Sequence, residues 1–123
     1  AQYTQAGIVS ELKRLAAPAS VDSIPTSAMQ EDHVSMGWSA ARKLRRSIDG
    51  LQRVLAIELM TAARGIEMRG ARPSTVSAAV IGALREVVPG PGPDRYLALD
   101  IQAAVDAVVN GTLLAASGIG ATR

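Results

Sequence analysis

Apolar residues recur every three or four positions along most of this chain, which is the spacing of amphipathic α-helices. The longest such stretch predicts one helix from about His33 to Arg69, ended by Gly70 and Pro73. Its apolar positions are Val34, Trp38, Ala41, Leu44, Ile48, Leu51, Leu55, Leu59, Ala62 and Ile66. The pattern therefore predicts a long helix with one continuous apolar stripe.

Shorter stretches with the same spacing predict three more helices, and no stretch predicts a strand. The first covers Thr4 to Ala16, and the second covers Thr75 to Val88 with Ser74 or Thr75 near its cap. The third begins at Leu99 or Asp100 and ends near Val109. From Leu113 to Arg123 the pattern predicts no firm element.

A loop separates the first helix from the long one. Residues 17–30 contain two prolines, three serines and a threonine, without a sustained period. Apolar residues inside the segment favour an ordered loop over a disordered one. At its end, Asp32 is a candidate cap for the long helix, or Ser27 with Gln30 a capping box one turn earlier.

The length of the long helix conflicts with the size of the chain. Such a helix would be about 50 Å long, whereas a compact domain of this size is about 35 Å across. Positions 54–63 are nearly all apolar, so this half of the helix must be covered on every side. Partner helices are therefore expected from other subunits or from a missing part of the chain. Glu58 lies in this stretch, and a buried carboxylate there would need an ion-pair partner outside the helix.

The composition supports a small all-α unit. The 123 residues are 48% hydrophobic but only 2% aromatic, and alanine, leucine, isoleucine and valine suit close-packed helices. There is no cysteine, which excludes disulfides, cysteine-bound zinc and thiol catalysis and fits a reducing compartment such as the cytoplasm. The net charge of +2 does not indicate a nucleic-acid or membrane partner.

Two clusters carry candidate chemistry. Gln30, Glu31, Asp32 and His33 place an amide, two carboxylates and the only imidazole at the junction of loop and long helix. Helix capping explains them by itself, and an acid–base role for Glu31 or His33 is the alternative. The run does not indicate a metal site, because consecutive residues cannot all face one ion. The basic run 42–46 is interpreted as a solvated helix face or a subunit contact, ahead of phosphate binding.

Several stretches resemble a known enzyme family. They are Ser10–Glu11, residues 15–27 (LAAPASVDSIPTS), residues 30–37 (QEDHVSMG), residues 40–44 (AARKL), residues 54–59 (VLAIEL) and residues 89–94 (PGPGPD). Together they closely resemble the C-terminal third of the histidine ammonia-lyases, within the aromatic amino acid ammonia-lyase family. The resemblance spans most of the chain, and members of this family are much longer than 123 residues.

The resemblance implies the long-helix bundle portion of an all-α, aspartase-like ammonia-lyase fold, with small peripheral helices. Residues 1–70 would hold a helix, the active-site loop at 17–32 and the long central-bundle helix. Residues 71–123 would form the peripheral C-terminal helices. Both would be one part of a larger single-chain cytoplasmic enzyme that assembles as a homotetramer, each active site drawing on three subunits.

The resemblance also implies a reaction and a site. Such enzymes eliminate ammonia from an amino acid, giving urocanate from L-histidine, with an electrophilic methylidene-imidazolone formed from an internal Ala-Ser-Gly. That tripeptide lies far upstream in the family, so Ala116–Ser117–Gly118 is not assigned the role. Glu31 would be catalytic at the substrate amino group, Gln30 its hydrogen-bond partner, and Asp32 and His33 would orient the loop. The chain alone is expected to be inactive.

Alternatives stay open for the substrate and for the class of function. Phenylalanine lyases carry a glutamine at the position of Glu31, which favours histidine here. Ala17 and Ser39 stand where histidine lyases commonly have histidine, which keeps tyrosine ammonia-lyases and aminomutases as alternatives. A non-catalytic helical interaction module is a second class of function, and nucleic-acid binding through residues 42–46 ranks third.

Overall fold

The computed structural model describes residues 1–119 and confirms the all-α prediction. Within these residues the only strand-like pairing is one isolated bridge between Thr26 and Glu31. The helices are α1 (Gln2–Leu15), α2 (Gly37–Met68), α3 (Thr75–Arg85), α4 (Ala98–Val109) and α5 (Thr112–Ser117). No helix among the described residues is both long enough and apolar enough to cross a bilayer.

The two longest helices, α1 and α2, lie antiparallel and close together. Gly50 makes the close approach possible, because a Cβ there would lie 2.8 Å from Leu12 Cδ2 and 3.4 Å from Ile8 Cγ2. Nearer the start of α1, the Gln5 side-chain amide donates to the Val54 carbonyl at 3.1 Å. The loop between these helices therefore leaves and returns at the same end of the pair.

The buried core lies between the second half of α2 and the three C-terminal helices. Its helix–helix contacts rely on small side chains, which let backbones approach closely and which explain how this chain packs with so few rings. Ala56 and Ala104 are fully buried, at 0% exposure each. The buried cluster consists of Ala56, Ala63, Leu84, Val88, Ala104, Val105, Ala107 and Leu113.

This cluster takes side chains from both sides of position 70. The division into residues 1–70 and 71–123 stays a prediction, and its second region extends four positions beyond the described residues.

Two arginines hold the Pro-Gly-rich connector between α3 and α4. Arg85 forms a two-pronged ion pair with Glu67, with both nitrogen–oxygen distances at 2.7 Å, and also donates to the Val88 carbonyl. The hydrogen bond from Arg85 is the main cause that lowers the pKa of Glu67 below its usual value. Arg95 pairs with Asp100 at 2.7 Å and donates to the carbonyl of Pro89 at 3.0 Å.

The predicted start of the long helix is wrong by about four residues. The helix begins at Gly37, and neither Asp32 nor a Ser27–Gln30 box caps it. The reason is that residues 26–34 form hydrogen bonds across a hairpin, which holds their backbone away from helical geometry. The loop accordingly extends past residue 32, to Met36.

The C-terminal boundaries also differ from the prediction. The helix predicted from Thr75 to Val88 ends at Arg85, and a hydrogen-bonded turn before Pro89 replaces its last residues. A short helix, α5, follows where no firm element was predicted. The Asn110 side chain starts it by accepting from the Thr112 N–H at 3.0 Å and from the Thr112 hydroxyl at 2.7 Å.

One face of α2 has no partner within the described residues. Trp38 is 75% exposed, Leu44 63% and Leu51 51%, and Ile48 and Leu55 continue the same stripe. Glu58 lies in this part of the helix and is exposed, with no ion pair inside residues 1–119. Helices outside these residues were expected to cover Glu58 and supply its ion-pair partner, so its burial stays a prediction.

Candidate active-site hairpin

The segment between α1 and α2 folds into a hairpin that carries the predicted site residues. The hairpin has a descending leg before its tip and a returning leg after it, joined by two hydrogen-bonded pairs of residues, the ties. In the first tie, the backbones of Thr26 and Glu31 exchange hydrogen bonds of 2.9 and 3.2 Å. The tip is the four-residue turn 27–30, closed by the Gln30 N–H donating to the Ser27 carbonyl at 3.2 Å. Glu31 is therefore fixed through both of its backbone polar groups.

A second tie comes from a side chain. The Ser23 hydroxyl accepts from the Val34 N–H at 2.9 Å and donates to the Val34 carbonyl at 3.2 Å. Ser23 and Val34 are both half-buried. Further back, the Lys43 ammonium of α2 donates to the carbonyl of Ala17, where the segment leaves α1.

The turn at the tip has an unusual backbone. Ser27, Ala28 and Met29 have φ angles of 52°, 53° and 71°, so three consecutive residues that are not glycine lie in the left-handed region. Each is disfavoured there because its Cβ approaches the following carbonyl oxygen. Such backbone persists only when the surrounding structure enforces it, and it is concentrated at functional sites.

The structure brings all four predicted site residues onto this hairpin. Gln30 ends the tip, Glu31 forms the first tie, and Asp32 and His33 lie between the two ties on the returning leg. All four are exposed, and within residues 1–119 none of their side chains forms a hydrogen bond or an ion pair. The arrangement places an amide, two carboxylates and an imidazole side by side on the surface of the described residues.

The cavities of the chain lie elsewhere. One groove, of about 180 Å³, runs beside the Pro-Gly-rich connector and is lined by Ile57, Met60, Arg64, Arg85 and Ile101 among others. A shallower one lies between α1 and α2, over Gly50. Neither contains a residue of the hairpin, so the hairpin alone does not enclose a substrate.

The tripeptide Ala116–Ser117–Gly118 and the basic run 42–46 are not part of the site. Ala116 and Ser117 end α5, where the Ser117 hydroxyl donates to the Leu114 carbonyl at 2.7 Å and the Gly118 N–H to the Ala115 carbonyl at 3.2 Å. The hydrogen bonds of this regular helix end involve the groups that a cyclisation would need.

In the basic run 42–46, Lys43 binds the loop and the others are exposed. The described residues hold no group of three or more potential metal ligands.

The residues that shape the hairpin, Ser23 and Lys43, were not singled out from the sequence. A serine in a proline-rich loop, as Ser23 is, carries no spacing signal. Its partner lies eleven residues away. Lys43 was interpreted as part of a basic face.

Comparison with known proteins leads to the same family that the sequence motifs resemble. The model of the aromatic amino acid lyase family matches residues 1–86. A histidine ammonia-lyase of Streptomyces avermitilis is 64% identical over 95% of this chain, which spans only 23% of that protein.

Solved structures agree at the level of the fold. A tyrosine aminomutase from Streptomyces globisporus superposes with a TM-score of 0.87 at 37% identity, over 94% of this chain and 22% of the other. A histidine ammonia-lyase from Trypanosoma cruzi superposes with the same TM-score at 39% identity, over 93% of this chain and 23% of the other.

Proposed function

The chain belongs to the aromatic amino acid lyase family, and we propose that it is the C-terminal part of an enzyme that eliminates ammonia from L-histidine to give urocanate. The observation that carries the proposal is the 64% identity with a histidine ammonia-lyase. The chain spans about a quarter of the length of such relatives. The activity is therefore assigned to the longer polypeptide.

The reaction breaks a C–N bond at the 2-position and a C–H bond at the 3-position, and a C=C bond forms between the two carbons. Its difficulty is that the proton is weakly acidic and the amine leaves poorly. In the proposed mechanism the Glu31 carboxylate binds the substrate ammonium or accepts a proton from it. The exposed, unpartnered state of this side chain on a tied hairpin supports that role.

The neighbouring residues support Glu31 in this proposal. Gln30 has an amide that can hydrogen-bond to the carboxylate or to the substrate, and Asp32 and His33 orient the loop. The base that removes the 3-position proton and the arginine that binds the substrate carboxylate would come from outside this chain. Residues 1–119 therefore supply the part of the site that faces the amino group.

The proposed cofactor is a methylidene-imidazolone that forms upstream of this chain. Ala116–Ser117–Gly118 does not fit as its source, because the Gly118 N–H is hydrogen-bonded within a regular helix end. When present, the group supplies an electrophile that captures the amino group and makes it a better leaving group. The hairpin fits beside such a group, since its four polar side chains are free of partners within the described residues.

The proposed partners are the rest of the polypeptide and three identical subunits. The apolar stripe of α2, with Trp38 and Leu44 more than half exposed, supports this part of the proposal. Helices from other subunits packed on that stripe would remove it from water, at about 25 cal/mol for each Å² covered. A cytoplasmic location belongs to the same proposal, and a chain without cysteine is compatible with that reducing compartment.

A second candidate is supported by the structural comparison. The tyrosine aminomutase superposes as well as the Trypanosoma cruzi enzyme does, so the fold of this segment does not separate the two chemistries. We favour histidine because the identity to a histidine ammonia-lyase reaches 64%, against 37% for the aminomutase.

The test uses the complete polypeptide encoded by the reading frame. Purified protein is offered L-histidine, L-tyrosine and L-phenylalanine, and ammonia is measured together with the absorbance of each unsaturated acid and with β-tyrosine. Native mass spectrometry of the same sample reports the subunit number. Urocanate and ammonia in equal amounts from four-subunit particles are expected. Turnover of tyrosine alone would shift the proposal to the second candidate, and no turnover of any of the three would leave a non-catalytic module.

A further inference from the structure

One antiparallel register relates both ties of the hairpin, and the second tie is made by a serine side chain. Thr26 opposes Glu31, and Ser23 opposes Val34, so the two ties lie three residues apart on each leg. The first tie uses two backbone groups from each leg. The second replaces the backbone of one leg by the hydroxyl of Ser23, which both accepts from and donates to the same residue.

The backbone ladder does not continue along the descending leg beyond the first tie. In an antiparallel pair, the hydrogen-bonded pair after Thr26–Glu31 would be Ile24 with His33. Among the described residues no backbone hydrogen bond joins these two. Ser23 therefore makes the last tie before the returning leg enters α2.

The part of the hairpin that Ser23 closes carries the proposed chemistry. Asp32 and His33 lie between the two ties, and Glu31 forms the first tie itself. Without the serine hydroxyl, only the Thr26–Glu31 pairing holds the returning leg before Gly37 begins α2. With only one tie left, the Thr26–Glu31 pairing opens more readily, and the carboxylate of Glu31 then samples more positions.

We propose that Ser23 is a positioning residue of the lyase reaction, acting through Glu31 by tying the returning leg of the hairpin at Val34. The inference rests on the proposed function, in which Glu31 faces the substrate amino group. Ser23 itself does not touch the substrate in this proposal. Its effect on turnover should therefore depend on the presence of the Glu31 carboxylate.

The experiment compares two variants of the same shape in the complete enzyme. Ser23→Val removes the hydroxyl, while Ser23→Thr keeps it within a side chain of nearly the same volume. Misplacement of a reacting group by about 1 Å can lower turnover about 100-fold. We expect kcat with L-histidine to fall about 10-fold or more in the valine variant. The threonine variant should recover most of it.

Two measurements separate positioning from a general loss of structure. Ser10→Ala, at an exposed serine of α1 with no side-chain hydrogen-bond partner among the described residues, is the control and should leave kcat unchanged. Amide hydrogen exchange at Val34 should become faster in Ser23→Val and not in Ser23→Thr. If the valine variant does not fold, Ser23→Ala is used in its place with the same readouts.

The decisive arm is a double-mutant cycle with Glu31→Gln. If Ser23 acts through the carboxylate, Ser23→Val should lower kcat less than about 2-fold further in the Glu31→Gln background, because coupled sites are not additive. Full additivity, or unchanged kcat in Ser23→Val alone, would overturn the inference. Unchanged kcat in Glu31→Gln alone would instead overturn the proposed role of Glu31, and the exchange rate at Val34 would still report whether the tie exists.

Discussion

The C-terminal core and the hairpin are held in opposite ways. In the core, α2, α3, α4 and α5 bury their side chains against one another, and Ile57, Leu84 and Val88 are each 1% exposed. In the hairpin nothing large is buried, and the backbone is held by a few hydrogen bonds, with Val21 82% and Met29 80% exposed. One region is stabilised by packing, and the other by directional contacts.

This difference separates the two tasks of the chain. Close packing gives a rigid scaffold, because neighbouring side chains leave no room for movement. Hydrogen bonds at a few points hold a segment in place while leaving its side chains available for a substrate. In the proposed enzyme, the hairpin and the α2 stripe next to it are the surfaces that contact the rest of the protein, whereas the core residues are already buried within residues 1–119.

The largest effect on the packed region is expected from Gly50→Ala. The new methyl group would lie 2.8 Å from Leu12 Cδ2, so the Leu12 side chain or α1 must shift, and overpacking of this kind costs about 1–3 kcal/mol. The melting temperature of the complete enzyme should fall, and amide exchange in α1 should become faster. Gly65→Ala is the matched control, since no atom lies within 4 Å of its added Cβ, and it should not destabilise. Equal effects of both changes would contradict the close packing of α1 on α2.

A smaller, pH-dependent effect is expected at the Glu67–Arg85 pair. The hydrogen bond lowers the pKa of Glu67, so its stabilisation is present above the ordinary pKa and is lost as the pH falls through the lowered one. Glu67→Gln should therefore cost about 1 kcal/mol near neutral pH and less in acid. Thermal unfolding at several pH values measures this. The exposed Glu86→Gln is the control, and a pH-independent difference at Glu67 would rule out the ion pair as its cause.

The smallest effect is expected at the hairpin tip. Met29 has a φ of 71°, and asparagine tolerates this region better than other residues with a Cβ. Met29→Asn should stabilise the turn by about 0.5 kcal/mol and slow amide exchange at Gln30 and Glu31. Met29→Leu keeps the unfavourable preference and should give no gain. If both variants have the same stability and the same amide exchange rates, the left-handed backbone at Met29 does not limit the stability of the hairpin.

The fold was largely predictable because its helices follow the spacing of apolar residues. Gly70 ends the region of α2 as predicted, since it adopts a φ of 61°. The predicted start of α2 was wrong because hydrogen bonds with Ser23 and Thr26 hold the backbone of residues whose apolar spacing is that of a helix. The partner of Glu58 was not predictable, because periodicity reports how apolar a helix is, and not which of its neighbours belong to the same chain.

The site was predictable in its residues and not in its shape. The resemblance to a family selected Gln30 to His33, while spacing alone favoured helix capping. Three left-handed residues in a row at Ser27, Ala28 and Met29 have no sequence signal, because none of them is glycine or asparagine. The tie from Ser23 to Val34 depends on the hairpin first being formed, so local preference does not reveal it.

The central claim is that the hairpin presents Glu31 to the amino group of the substrate. The most direct measurement is the turnover of L-histidine by Glu31→Gln in the complete enzyme, with subunit number and melting temperature recorded on the same sample. We expect kcat to fall by about 100-fold to 10,000-fold, while the assembly and its melting temperature remain those of the unmodified protein. Near-normal release of ammonia from an intact assembly would contradict the claim.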